Sequence, residues 1–154
     1  MTDVSTWSTT AASNNTAPPD GFPEGMAPSA LNNSSREVMA AVARYYAEGA
    51  NQNSQSSNYT TVLSDANKHI FHPTGAGASD TFTIAANASV AYPVGTLLTF
   101  VNEDSNTVSI AITTDTLTLA GTTTTGTRTL GQNGIATALK ITTTKWLIAG
   151  TALG

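Results

Sequence analysis

From Tyr59 onward, apolar and polar residues alternate in short runs that turn residues interrupt about every 8 to 12 positions. The clearest runs are Thr81 to Ile84, Leu98 to Phe100 and Val108 to Ile112. A period of two is typical of β-strands, because successive side chains point to opposite faces of a sheet. The pattern predicts a mainly β fold, with residues 59–154 forming a small antiparallel β-sandwich or barrel domain.

The same alternation predicts which side chains form the core of this domain. The inward set consists of Ile70, Phe82, Ile84, Leu98, Phe100, Val108, Ile110, Ile112, Leu119, Leu139, Ile141, Trp146 and Ile148. Gln132-Asn133-Gly134 is one of several turn signals that separate the predicted strands. Because this core is modest for roughly 95 residues, we expect oligomerisation to add to its stability.

Three segments of different character precede the β-region. Residues 1–21 are rich in Ser, Thr, Asn and Ala, and they predict a flexible N-terminal arm whose one aromatic residue is Trp7. Residues 22–50 predict an extended segment followed by one short amphipathic helix. Residues 51–58, NQNSQSSN, predict a polar linker. The sequence therefore predicts a small β-domain carried by an arm and a helix.

The short helix is the element expected to make contacts. Ser34 and Glu37 form a capping-box pattern, and Val38, Val42 and Tyr45 then recur along one side. A helix of ~14 residues is marginal in water, so a partner must cover its apolar side. That partner is either two further copies, in a three-helix cluster, or another protein. The predicted attachment and trimer contacts are Trp7, Phe22, Pro23, Met26, Pro28, Leu31, Val38, Met39, Val42, Tyr45 and Tyr46.

Charge and composition disfavour several classes of function. Only 10% of the residues are charged and the net charge is −4, so no basic field attracts nucleic acid. The chain contains no cysteine, which removes disulfides and thiolate metal sites. No apolar run approaches the ~20 residues that cross a bilayer. We therefore expect no nucleic-acid partner and no membrane insertion.

Two pairs of residues have spacings that occur in metal or catalytic sites. His69 and His72 have H-x-x-H spacing, but on a strand these positions face opposite sides of the sheet. We expect His72 to be structural and His69 to be exposed. Glu103 and Asp104 fall in a predicted turn, where acidic residues are ordinarily solvated. The sequence therefore predicts no metal site, no cofactor and no enzymatic activity.

Both parts of the chain resemble structural proteins of tailed bacteriophages. The N-terminal module of tail-fibre and related tail proteins is matched at Pro23 to Ser29 (PEGMAPS), Asn32, Arg36, Met39-Ala40-Ala41 and Arg44-Tyr45. The β-region is similar to a domain of the same class of proteins. Its matching residues are Asp65 to Lys68, His72-Pro73, Thr81 to Ile84, Ala86 to Val90, Pro93 to Thr96, Phe100 to Asn102, Leu119 to Gly121, Thr129-Leu130 and Asn133 to Thr137.

The resemblance implies a virion component, assembled in the cytoplasm of a bacterial host and commonly a homotrimer. Its N-terminal part would attach to tail or capsid proteins of the particle, and its β-part would project outward. We therefore expect a short tail-fibre-like protein. Two alternatives remain open: a capsid decoration, cement or head-fibre protein, and a receptor-recognition module that binds a host surface glycan.

Overall fold

The computed structural model of the chain describes residues 25–31, 33–36, 38 and 51–154. The chain divides into two compact units, Met1–Gly49 and Ala50–Gly154. Their boundary lies before the segment that we predicted to be a linker. The first unit contributes a helix to the described residues, and the second contributes a sheet.

The helix begins at Pro28, and its described residues are 28–31, 33–36 and 38. The carbonyl oxygen of Ala27 accepts hydrogen bonds from the N–H groups of Ala30 (2.9 Å) and Leu31 (3.1 Å). Proline suits the first helical position, because its missing N–H would have no partner there. Our capping-box prediction at Ser34 is therefore wrong, since Ser34 lies inside the helix, where it is fully buried.

The second unit contains nine strands and one 3-10 helix, Leu63–Asp65, which lies between the second and third strands. The strands are β1 (Gln52–Ser54), β2 (Tyr59–Thr60), β3 (His69–His72), β4 (Thr81–Ile84), β5 (Leu97–Asn102), β6 (Val108–Ile112), β7 (Thr116–Leu119), β8 (Arg128–Thr142) and β9 (Lys145–Leu153). All nine belong to one curled sheet, so the predicted mainly β fold is confirmed.

The chain alternates between two arms of this sheet. Strands β1, β3 and β5 pair in parallel and form what we call the odd arm. Strands β2, β4 and β6 pair in parallel and form the even arm. Three successive coils thus stack their strands in register, as in a short solenoid.

The parallel pairing corrects the predicted antiparallel arrangement. Five of the eight pairings are parallel, namely β1–β3, β2–β4, β3–β5, β4–β6 and β7–β9. Turn residues mark where strands end, but they do not specify which strands pair. From β1 to β6, every loop leads from a strand of one arm to a strand of the other arm, so consecutive strands do not form hairpins.

Strand β8 is long enough to join the two arms. Near its start it pairs antiparallel with β6, and farther along it pairs antiparallel with β5. Its other edge pairs with β9 over most of its length. The predicted turn at 132–134 is wrong, because these residues lie within β8. They coincide with an irregularity between Leu130 and Ile135, where Asn133 has a φ of 56°.

Residues 52–54 of the polar segment 51–58 form a strand of the sheet, which corrects the linker prediction. Strand β1 pairs with β3, with Asn53 opposite Ile70. The Asn53 side chain donates hydrogen bonds to the Asp65 carboxylate (2.8 Å) and to the Tyr59 hydroxyl (3.1 Å). Side-chain hydrogen bonds, rather than apolar burial, therefore help to hold this edge strand.

The core lies between the inner faces of the two arms. The ring of Phe82, on β4, lies 5.6 Å from that of His72 on β3 and 6.4 Å from that of Phe100 on β5, measured between ring centroids. Nine of the predicted core residues are fully buried: Ile70, Phe82, Ile84, Leu98, Phe100, Val108, Ile110, Trp146 and Ile148. Alternation therefore predicted the inner faces of most strands correctly.

On β8 the sequence prediction placed the wrong face of the strand inward. Leu139, predicted to be buried, is 37% exposed, whereas Lys140 is only 1% exposed. Alanines at 136 and 138 supply the other inward side chains of this part of the strand. Three more predicted core residues, Ile112, Leu119 and Ile141, are half-buried. Both faces of β8 carry apolar residues, so alternation alone could not decide between them.

Candidate interaction surface

Four of the predicted contact residues lie in the described part of the N-terminal unit. Leu31 is 49% exposed and Pro28 is also exposed, while Met26 and Val38 are half-buried. Leu31 and Val38 are seven positions apart, which places them on the same side of the helix. The other predicted contacts lie outside the described residues: Trp7, Phe22, Pro23, Met39, Val42, Tyr45 and Tyr46.

A second apolar surface lies on the outward side of the odd arm and of the adjoining strands β8 and β9. The sequence did not lead us to predict it. Strands β5 and β8 pair Leu97 with Leu139 and Val101 with Ile135, and all four side chains point away from the core. We call the outward side of β3, β5, β8 and β9 the outer apolar face. Its residues are His69, Phe71, Leu97, Thr99, Val101, Ile135, Thr137, Leu139, Leu147, Ala149 and Thr151.

The outer apolar face contains no Asp, Glu, Lys or Arg residue. Leu97 is 42% exposed and Ile135 is 48% exposed. At the centre of the face, the hydroxyl oxygens of Thr99 and Thr137 lie 3.0 Å apart and share a hydrogen bond. Contiguous exposed apolar surface of this kind often marks an interaction site.

The even arm presents a different outward surface, the hydroxyl face. Its outward residues are Thr60, Thr81, Thr83, Ser109, Ala111 and Thr129. Hydroxyl side chains can hydrogen-bond to water and need no cover. Strand β8 contributes to both surfaces, because Thr129 lies on the hydroxyl face and Leu139 lies on the outer apolar face.

A buried carboxylate organises the edge where β1 and β2 begin the sheet. Asp65 is 2% exposed, and its carboxylate accepts hydrogen bonds from the Tyr59 hydroxyl (2.8 Å), the Val62 N–H (2.8 Å) and the Asn53 amide (2.8 Å). Burial, together with the hydrogen bond to Asp65, raises the pKa of Tyr59. These contacts fix the local chain path, so we interpret this group as structural.

Two more titratable groups stabilise connections between strands. Burial raises the pKa of Tyr92 to about 12, and its hydroxyl donates a hydrogen bond to the carbonyl of Val62 (2.6 Å). The N–H groups of Asn106 and Gly75 donate to Asp104, and these hydrogen bonds lower its carboxyl pKa. Asp104 therefore ties the β5–β6 loop to the β3–β4 loop rather than being a solvated turn residue.

The two histidines face opposite sides of β3, as their spacing on a strand predicts. His72 is fully buried, and its Nε2 lies 3.8 Å from a carboxylate oxygen of Asp80. His69 is half-buried rather than exposed. Within the described ranges, no three His, Asp or Glu side chains come close enough together to hold a metal ion. No helix among the described residues is long and apolar enough to span a membrane.

The outer apolar face was missed because the prediction placed Leu139 in the core and assigned no role to the outward side chains of β5 and β8. A signal was present: Ile135, Thr137 and Leu139 alternate with Ala136, Ala138 and Lys140, and only one set can face inward. Inward alanines on a strand leave the larger side chains outside, where they are available to a partner. The chain matches no protein-family model, and comparisons with curated proteins and with solved structures give no significant match.

Proposed function

We propose that this chain is a structural protein of a bacteriophage virion, similar to a short tail fibre. Residues 22–50 attach it to the particle, and its β-domain projects outward. Copies associate, as a trimer, through the outer apolar face together with the N-terminal helix. The observation that carries the proposal is the outer apolar face, an uncharged surface that extends over four strands.

The physical reason for association is the cost of leaving this face in water. Removing apolar side chains from solvent lowers the free energy, and no Asp, Glu, Lys or Arg side chain on the face would lose its hydration. The cores of protein interfaces are likewise depleted of charged residues. A second copy offers the same uncharged surface, so contact between copies buries no unpaired charge.

The size of the face suggests that the N-terminal unit also takes part. Four strands spaced ~4.8 Å apart and five residues long cover about 300 Å². A stable interface usually buries about 800 Å² on each partner. The exposed Leu31 and Pro28, with the half-buried Val38, supply further apolar surface on the helix. Assembly through both surfaces fits the trimer that the resemblance to tail fibres implies.

The experiment compares incorporation into particles of the phage that encodes the chain. A phage lacking the gene is complemented with the wild type, Leu139→Asp or Thr129→Asp, and the protein in purified particles is quantified by mass spectrometry. Both substitutions add one carboxylate to β8, but only Leu139 lies on the outer apolar face. We expect Thr129→Asp to be incorporated like the wild type and Leu139→Asp to fall at least tenfold.

The position of the chain on the particle tests the assignment to the tail. Gold-labelled antibodies against the chain should bind at the tail, and label on the head would favour a decoration or head-fibre protein instead. Absence of the wild-type chain from purified particles would contradict a virion role. A glycan-binding module would bind host polysaccharide as a monomer, and such binding would count against assembly as the primary function.

A further inference from the structure

The amino group of Lys140 lies inside the domain, although lysine is rarely buried. Its Nζ donates hydrogen bonds to the side-chain oxygen of Asn87 (2.7 Å) and to the carbonyl of Tyr92 (2.9 Å). The same nitrogen lies 5.6 Å from the centroid of the fully buried Trp146 ring. A buried primary amine and a half-buried side-chain amide are therefore held in contact.

No carboxylate in the described part of the chain forms an ion pair with Lys140. Its hydrogen-bond acceptors are neutral amide oxygens. An ammonium that is buried without an opposite charge costs free energy. Conversion of the amine into an uncharged amide would remove that cost.

A carboxylate lies beside the amide partner. Asp115 is 9% exposed, and one of its oxygens accepts a hydrogen bond from the backbone N–H of Asn87 (3.0 Å). A carboxyl group can pass a proton from an attacking amine to a leaving amine when it comes within hydrogen-bond reach of both. Nucleophile and electrophilic amide are therefore in contact where the β4–β5 connection contacts β8, and Asp115 is bound to the backbone of the same asparagine.

We propose that Lys140 and Asn87 are joined by an intramolecular isopeptide bond. The Nζ of Lys140, as the neutral amine, attacks Cγ of Asn87, and the bond between Cγ and Nδ2 breaks. Asp115 carries a proton from Nζ to the departing nitrogen, which leaves as ammonia. The reaction forms one amide from another, so it needs no oxidant, reductant or cofactor. It is independent of the proposed virion role.

The bond would connect positions 53 residues apart in the sequence. It would fasten the segment that follows β4, in the even arm, to the end of β8 that pairs with the odd arm. Closing a long loop covalently stabilises a fold, largely by restricting the unfolded chain. The expected consequence is a domain that resists unfolding more strongly than its noncovalent contacts alone would allow.

The test is mass spectrometry of the purified full-length chain under denaturing conditions. Wild type is compared with Lys140→Arg, which keeps a hydrogen-bond donor but has no amine nucleophile, and with Asp115→Asn. We expect the wild-type mass to be lower by one ammonia than the value calculated from its sequence, whereas both variants match their calculated masses. Digestion of the wild type should release one branched peptide that links Lys140 to Asn87.

Asn133-Gly134 is a second site at which the chain could lose ammonia, so the site of the loss must be identified. An Asn-Gly pair can also lose ammonia, by cyclisation onto the following backbone nitrogen, so the mass change must be mapped by peptide fragmentation. A loss mapped to Asn133, or a wild-type mass equal to the calculated value, would overturn the proposal. A branched peptide in Asp115→Asn at the wild-type level would overturn the role of Asp115.

Discussion

The two arms of the sheet are built alike but present opposite outward surfaces. Both stack three strands in parallel, and both join β8. Strand β5 of the odd arm pairs its outward Leu97 with Leu139 of β8, whereas the even arm presents threonines and Ser109. Since the topology is the same, the fold does not require the apolar residues of the odd arm to be where they are. The proposed contact between copies would explain their place on the surface.

The two arms nevertheless share one core, which can be tested by removing a side chain between them. Phe82 is fully buried, with its ring against His72 and Phe100 of the odd arm. Phe82→Ala should lower the free energy of unfolding by about 3–5 kcal/mol, because it leaves a cavity. Urea unfolding of the full chain measures this, with Thr83→Ala on the hydroxyl face as the control. A loss equal to that of the control would contradict a shared core.

A smaller effect is expected at Asp65, near the edge where both arms begin. Asp65→Asn replaces one of two accepting oxygens and leaves a donor group facing the Tyr59 hydroxyl and the Val62 N–H. The expected cost is about 1–3 kcal/mol, the range for an unsatisfied buried polar group. Tyr59→Phe removes two hydrogen bonds but leaves no donor group facing another donor, so it should cost less when both variants are measured by thermal unfolding. Equal stability of Asp65→Asn and wild type would show that this network contributes little.

The outer apolar face can be made more apolar by replacing its two central threonines. Thr99 and Thr137 form the hydroxyl pair within the outer apolar face. Replacing both with valine removes two polar groups together, so association should strengthen by about 1 kcal/mol, or roughly fivefold. Sedimentation equilibrium measures the association constant. Thr83→Val on the hydroxyl face should leave the association constant unchanged. If this control strengthened association equally, the claim that only the outer apolar face joins copies would be contradicted.

The smallest effect concerns the loops that connect the arms. Hydrogen bonds from Asn106 and Gly75 lower the pKa of Asp104, so its ionised form stabilises the folded state. This stability is present above the ordinary carboxyl pKa and is lost as the pH falls through the lowered one. The stability difference between wild type and Asp104→Asn should therefore shrink with acidification. Glu103→Gln is the control, and a difference that does not vary with pH would contradict this.

The sequence predicted the strands better than their pairing. Alternation identified buried residues such as Phe82 and Ile110, because β4 and β6 each have one clearly apolar side. It did not identify parallel pairing, since turn residues look similar whether a chain folds back or crosses to another arm. It also missed β1, a strand of Gln, Asn and Ser that depends on side-chain hydrogen bonds for its place.

The candidate surface was only partly predictable for a related reason. Leu31 was named among the predicted contacts, whereas the outer apolar face was hidden by the expectation that Leu139 and Ile141 on β8 lie inside. The face assignment of a strand depends on its neighbours, and the pairing of Leu139 with Leu97 is visible only in the folded sheet. Buried Lys140 is the consequence of the same register.

The central claim is that the outer apolar face joins copies of the chain. The most direct test is the molar mass of the full-length protein by light scattering, for wild type, Leu139→Asp and Thr129→Asp. We expect wild type and Thr129→Asp to be trimers and Leu139→Asp to be a folded monomer. A wild type that remains monomeric at high concentration, or a Leu139→Asp variant that remains trimeric, would contradict the claim.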